Sequence, residues 1–272
     1  PIYQMRGGAD VADILTVTDV TRMGGNRVCV AGYLPDGTCI RPKLESGPIL
    51  ETWLWSNDGS PCRPLAEIEV DLLRSARDTE APHTEDWYVG HSYSVRRVLS
   101  PSDRDAFLTR TSKPSVREIF GAEIQSDGVS AKRWIEPGQG AHSLGTIRAR
   151  AITAVQFGQS SFGSGCYHKL GFIDGAGTAY RLTITDLSHR TIMEAAVQNQ
   201  WGTPAGIAAA VRSRLQGASV WLRVGLSRAW SEAEGTPERC YLQINGIYSF
   251  PDYLDGRCFA DFVDDPGREV PF

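Results

Sequence analysis

The sequence predicts a mainly β fold with helices (α+β), built from two small β-barrels in tandem. Its 272 residues exceed the usual size of one domain. Short segments with the composition or alternation of strands recur in both halves. Between the halves, residues 121–141 are rich in glycine and lack any periodicity, which is typical of a linker.

Five segments of the first half predict strands by their β-branched content or period-two alternation, at residues 14–21, 27–34, 38–43, 66–74 and 92–99. The second and third flank Pro35-Asp36-Gly37, which is turn chemistry, and form a predicted hairpin. A helix is predicted over 102–111, after Ser102. Ser115 and Glu118 form a capping box for a shorter helix that ends near Gly121.

The second half repeats this plan, with predicted strands at 146–157, 167–173, 178–185, 219–226 and 240–248. A second hairpin turns at residues 174–177. A helical stretch over 190–216 is interrupted at Gly202, restarts at Thr203-Pro204 and stops at Gly217. We expect Asp186 to cap this stretch.

Five short strands plus helix in each half match small barrels of OB type. The second half fits better, because its helices fall between the third and fourth strands. The predicted division is an N-terminal segment 1–13, a first OB-like domain 14–120, a linker 121–141, a second OB-like domain 142–262 and an acidic tail 263–272.

The composition excludes several classes of protein. A content of 41% hydrophobic and 22% charged residues excludes bulk disorder, and a net charge of −4 excludes a globally basic nucleic-acid-binding chain. No apolar run reaches the roughly 18 residues that span a membrane. The N-terminus lacks a signal-peptide core, so we expect a cytoplasmic protein.

The six cysteines include no C-x-x-C pair, so we predict reduced thiols, no metal site and no cofactor. There is no phosphate-binding G-x-x-x-x-G-K-[ST] loop and no G-x-S-x-G nucleophile elbow. His83-Thr84-Glu85 matches half of a zinc deaminase motif, but the downstream P-C-x-x-C is missing.

His83, Glu85 and Asp86 lie within four residues and are candidate catalytic groups. They could perform general acid–base chemistry, or hold Mg²⁺ if the protein is an enzyme. Trp87 follows and could stack on a base. The alternative is a structural turn in which Thr84 or Asp86 binds backbone amides and Trp87 fills the core.

Two groups of residues could bind nucleic acid. Around the first hairpin, four basic side chains could contact phosphates: Arg22, Arg27, Arg41 and Lys43. Strand alternation places Arg41 and Lys43 on one face. At the second hairpin, Tyr167, Lys169 and Arg181 could stack on or pair with a single strand. Ordinary solvated strand faces are the alternative for both groups.

Several segments carry a family resemblance: Gly25–Gly32, Ile40–Pro42, Pro82–Trp87, Leu170–Gly175, Tyr180–Leu187 and Leu242–Tyr253. In this order, over residues 14–262, they resemble the dual OB-containing domain family of prokaryotic proteins. The resemblance implies two OB-like barrels, with nucleic-acid binding expected from the fold. Relatives are expected to carry more basic residues around Gly24-Gly25, where this chain has only Arg22 and Arg27.

Three functions follow as hypotheses. The first is a module that holds single-stranded DNA or RNA, or a nucleic-acid end, between the barrels. The second is an enzyme that acts on a nucleotide or base through His83. The third is a component of a larger assembly that binds a protein partner through its acidic end, since residues 252–272 contain six acidic residues and two arginines.

Overall fold

The computed structural model describes residues 12–76, 80–129, 131–160, 165–263, 265 and 267–272. Within these ranges the regular secondary structure is mostly strand, with four α-helices, which confirms the predicted fold class. None of the helices in the described ranges has the length and apolar character needed to cross a membrane. All six cysteines are free thiols.

The first half forms a closed barrel of five strands. They are β1 (Asp13–Arg22), β2 (Val28–Tyr33), β3 (Cys39–Lys43), β4 (Ala66–Ser75) and β5 (Asp86–Val98). The order around the barrel is β1-β2-β3-β5-β4, and β4 closes against β1. β3 and β5 are parallel, whereas the other neighbours are antiparallel. This arrangement matches the five-stranded barrel expected of an OB fold.

The core of this barrel consists of the alternate side chains that the sequence pattern places inward. They include Leu15, Val17, Val30, Ile40 and Ile68, all nearly inaccessible to solvent. The predicted fifth strand was wrong at its start: β5 begins at Asp86 rather than at residue 92. Three shifts of register against β4 disturb the alternation of β5, so its pattern predicts only the end of the strand.

Two helices and two very short strands follow: α1 (Pro101–Thr111), β6 (Ser112–Lys113), α2 (Val116–Phe120) and β7 (Trp134–Ile135). Helix α1 is capped by Ser100, whose Oγ accepts a hydrogen bond from the backbone N–H of Asp103, so the helix begins before the predicted Ser102. Helix α2 has the predicted Ser115 cap and ends at Gly121, which has a φ of 63°.

The second half forms a larger sheet of β8 (Leu144–Ala149), β9 (Ala151–Gln159), β10 (Cys166–Ile173), β11 (Ala179–Ile184), β12 (Ser219–Leu226) and β13 (Cys240–Phe250). Their order is β8-β12-β13-β11-β10-β9. Only Arg150 separates β8 from β9, so one bent stretch of chain supplies both ends of this order, and the two-residue strand β6 pairs with the outer side of β8. The parallel pair β11–β13 corresponds to β3–β5 of the first barrel. We call this sheet the second barrel.

Helices α3 (Leu187–Gln198) and α4 (Pro204–Gln216) lie between β11 and β12, as the sequence predicts. Asp186 accepts a hydrogen bond from the backbone N–H of His189 and caps α3, which therefore starts before the predicted residue 190. Thr203 caps α4. Ile207, Val211 and Leu215, spaced four apart, bury one face of α4 in the second core.

The proposed domain boundaries stay a prediction. Val116, Ile119 and Phe120 of α2 pack in the second core, although the prediction assigned them to the first domain. At the other end of the chain, Val270 also packs there. The N-terminal segment up to residue 11, and Asp264 of the acidic tail, lie outside the described residues.

A buried ion pair joins the two barrels. Arg223 of β12 donates through Nε and Nη2 to Asp19 Oδ2 of β1, at 2.9 and 2.8 Å. Its Nη1 donates to the hydroxyl oxygens of Tyr33 and Thr146, at 2.7 and 3.1 Å. Arg223 is completely inaccessible to solvent. The hydrogen bonds offset much of the cost of removing these charges from water.

Asp19→Asn should lower the free energy of unfolding by about 3–5 kcal/mol, because it leaves the buried Arg223 without a countercharge. Urea unfolding followed by circular dichroism measures the change. Asp105→Asn on the exposed side of α1 alters charge equally and serves as the control. Equal stability of the two variants would show that the pair contributes nothing to folding.

Candidate functional site

A groove of about 630 Å³ runs between the two barrels. The first barrel contributes the turn between β1 and β2, the outer side of β3 and the 44–49 turn. The second contributes the end of β11, the segment that follows β12, and β13. In OB folds, ligands bind on the second and third strands and on the loops after the first and fourth strands. The groove combines such elements from both barrels.

Three cationic side chains of the groove converge on the carboxylate of Asp86. Arg41 Nε lies 2.6 Å from Oδ1, while Arg228 Nη2 and Lys43 Nζ lie 2.5 and 3.7 Å from Oδ2. Burial alone would raise the pKa of Asp86, but Arg41 and Arg228 hold this pKa below its usual value. Because a single carboxylate faces three cations, this point of the groove carries excess positive charge.

The cations come from both barrels. Arg41 and Lys43 share one face of β3, as their spacing predicts, and β3 pairs with the start of β5 at Asp86. Arg228 follows the last residue of β12 in the second barrel. Arg41 is buried, whereas the side chains of Arg228 and Lys43 are 47% and 35% exposed and can reach a ligand.

His83 holds Arg41 in place. Arg41 Nη2 lies 3.1 Å from His83 Nδ1. Burial, together with the charges of Arg41 and Arg228, lowers the pKa of His83 to about 3. The imidazole is therefore neutral at pH 7, and Nδ1 accepts a hydrogen bond from the guanidinium. This geometry holds Arg41 in position, and the catalytic role of His83 stays a prediction.

Glu85, the second member of the predicted catalytic group, binds Ser143 and Leu144. Its carboxylate accepts hydrogen bonds from the backbone N–H groups of Ser143 and Leu144, at 2.6 and 3.2 Å, and from the Ser143 hydroxyl at 2.8 Å. These bonds tie the start of β5 to the start of β8. In the described part of the chain, no three His, Cys, Asp or Glu side chains converge as a metal site would require.

Of the other two predicted phosphate contacts, one lies in the groove and one does not. Arg22 lines the groove, and its Nη1 lies 2.6 Å from Glu194 Oε2 of α3. Arg27 does not line the groove: its Nε donates to the carbonyl of Gly24 at 2.9 Å and closes the turn between β1 and β2. The structure therefore brings Arg22, Arg41 and Lys43 to one groove and leaves Arg27 at its margin.

The aromatic residues of the groove were not those predicted. Trp87 packs against the first core, because alternation along β5 places it opposite to Asp86 and Tyr88. Tyr88 lines the groove, with Lys43 Nζ 5.4 Å from its ring centroid. Trp230 also lines the groove and is 47% exposed.

Sequence reasoning missed Arg228 and Trp230 because they lie in a segment without periodicity. Their position between two predicted strands nevertheless indicated a binding loop. They follow the fourth predicted strand of the second half, at 219–226, and precede the fifth, at 240–248. The loop between these strands of an OB barrel is a usual binding element.

The residues predicted at the second hairpin lie on a surface that adjoins the groove. Gln243, which lines the groove, pairs in register with Thr183, which in turn pairs with Lys169. Paired residues point to the same side of a sheet, and strands lie about 4.8 Å apart. Lys169 therefore lies about 10 Å from the groove, with Arg181 and Tyr167 exposed on the same outer face.

Comparison with known proteins identifies the fold family. A family model described as "Dual OB-containing domain" matches residues 13–247. No curated protein matches the chain. Among solved structures, a murine DNA-binding protein bound with double-stranded DNA has 11% sequence identity and a TM-score of 0.29, over 87% of this chain and 95% of that chain. This likeness is too distant to support an argument about function.

The buried His83 predicts a dependence of stability on pH. The folded protein binds this proton only near pH 3, whereas an unfolded histidine binds it near pH 6.5. Between these values the unfolded state holds more protons, so stability should fall as the pH is lowered from 6.5 towards 3. Urea unfolding across this range should show a shallower fall for His83→Gln than for the unaltered protein.

Burial also lowers the pKa values of His168 and His189. The stability of His83→Gln should therefore still depend partly on pH. His91→Gln, on the exposed part of β5, is the matched control and should retain the full slope. If His83→Gln and His91→Gln gave the same slope, His83 would not be neutral in the folded protein.

Proposed function

The chain belongs to the dual OB-containing domain family, and we propose that it binds single-stranded nucleic acid in the groove between its barrels. The observation that carries this proposal is the convergence of Arg41, Lys43 and Arg228 on the single carboxylate of Asp86. Excess cations in a concave site favour a polyanion, and guanidinium groups suit phosphate oxygens.

Exposed aromatic rings favour unpaired bases over a duplex. Proteins that bind single strands combine a basic groove with side chains on which bases stack. Trp230, which is 47% exposed, lies beside the cations and supplies such a ring; the half-buried Tyr88, with Arg74 over its ring, adds a second aromatic edge to the groove. In a duplex, each base is stacked between its neighbours and cannot lie flat on a protein ring. The cations and rings together therefore favour single-stranded DNA or RNA.

The outer face of the second barrel supplies a path for the rest of the strand. From Gln243 in the groove, the surface continues over Thr183 to Lys169, with Arg181 and Tyr167 beside it. Lys169 and Arg181 would contact successive phosphates along this path, while Tyr167 would stack on a base. Arg22, at the groove itself, is held by Glu194 and would contact phosphate there.

Arg228→Ala should weaken binding of single-stranded DNA or RNA about tenfold, since the loss of one charge-assisted contact costs roughly 1.5 kcal/mol. Fluorescence anisotropy with labelled DNA, RNA and duplex at several salt concentrations measures this effect. The slope of log affinity against log salt should also decrease by about 0.7. Arg117→Ala, which removes an exposed arginine from α2, is the control for net charge.

Failure of the unaltered protein to bind any single strand at low salt would refute the proposed function. Tighter binding of duplex than of single strands would refute its single-stranded part. Equal affinities of Arg228→Ala and Arg117→Ala would place the binding site outside the groove.

Trp230→Ala should reduce affinity by about 1–3 kcal/mol without changing the salt slope, because stacking involves no counterion release. The same titrations measure it. Trp201→Ala removes another partly exposed tryptophan, between α3 and α4, and should leave affinity unchanged. A loss of affinity that is equal in both variants would argue against stacking at Trp230.

A further inference from the structure

Three of the four cationic side chains that line the groove are concentrated at one point. Arg41, Lys43 and Arg228 all lie within 3.7 Å of the carboxylate of Asp86. A single strand that merely passed through would place one phosphodiester, with one negative charge, at this point. Three cations against Asp86 leave two positive charges. Glu85 offsets part of the charge of Arg41, and the remainder still exceeds the charge of that phosphodiester.

We propose that this cluster binds the terminal phosphate of a nucleic-acid strand, as a phosphomonoester. This inference rests on the proposed function. A phosphomonoester carries about −1.5 to −2 charges at pH 7 and has three strongly accepting oxygens. Its charge matches the local excess of the cluster. A terminal hydroxyl or an internal phosphodiester provides at most half of that charge.

The neighbouring carboxylates remove only part of the excess. Glu45 lines the groove, but its Oε1 lies 2.8 Å from Arg74 Nη2. Glu85 acts electrostatically on Arg41 and offsets part of its charge, but its oxygens bind Ser143 and Leu144 and form no ion pair with the three cations. Glu194 pairs with Arg22, which is therefore not counted in the cluster. Asp86 is thus the carboxylate that directly contacts the three cations among the described residues.

The cluster is also built to stay in place without a ligand. Arg41 is buried between Asp86 and His83, so its guanidinium has little freedom left to lose. Asp86 in turn holds the more exposed Arg228 and Lys43 near each other. Preorganised donors bind an anion with a smaller entropic cost than flexible ones. Arg228 and Lys43 would contact the phosphate, while Arg41 fixes the carboxylate.

Competition between strands that differ only at their ends tests this inference. The probe is a single-stranded DNA of ten nucleotides with hydroxyl ends and an internal fluorophore. The competitors have the same sequence with hydroxyl ends, a 5′-phosphate, a 3′-phosphate, or a 5′- or 3′-phosphate methylated to a diester. We expect one of the two phosphomonoester strands to compete at least tenfold better than the hydroxyl strand, and its methylated form to lose most of that advantage.

Lys43→Gln and Arg228→Gln should each reduce the preference for the phosphomonoester, whereas Arg117→Gln should retain it. If the probe binds and all competitors are equal, the terminal-phosphate inference is overturned while the proposed function stands. A preference that survives both Lys43→Gln and Arg228→Gln overturns the assignment to this cluster. No binding of the probe or of the phosphorylated strands at low salt refutes both proposals.

Discussion

Buried charges at the junction of the barrels determine how the two halves fit together. The pair Arg223–Asp19 lies where β12 of one barrel meets β1 of the other, and water reaches neither side chain. Such a pair is tolerated only if its geometry is good and its remaining donors find acceptors. Tyr33 and Thr146 provide those acceptors for Arg223. Sliding one barrel against the other would leave a buried charge without its partner, so only a narrow range of arrangements is stable.

The same junction creates the groove. Arg228 comes from the second barrel, and Asp86 and Arg41 come from the first. Glu85, directly before Asp86, is bound to the start of β8. The local excess of positive charge is therefore greatest while the barrels are docked. Separation of the barrels would leave Asp86 with Arg41 and Lys43 and would remove Trp230 from the groove. Fold and candidate site thus depend on one set of contacts.

The sequence predicted what depends on local pattern. Alternation identified most strands, and the turn and capping residues identified both hairpins and the helices. Strand alternation also placed Arg41 and Lys43 on one face of β3. The sequence could not show that Arg41 and Arg223 are buried. Each lies on a strand, and the pattern of that strand does not reveal which acidic residue pairs with the arginine. Arg228 and Trp230 lie in a loop of the second barrel. They become candidate binding residues only because residues of the first barrel, such as Asp86, lie next to this loop.

The overall charge of −4 and the basic groove are compatible because electrostatic recognition depends on where charges lie. Many of the carboxylates are paired at the surface far from the groove, such as Glu67 with Arg97. In the groove, by contrast, three cations share Asp86, and both Asp86 and Arg41 are buried. Charge there is less screened than on the open surface, so a small local imbalance has a larger effect on an anion than the net charge of the chain.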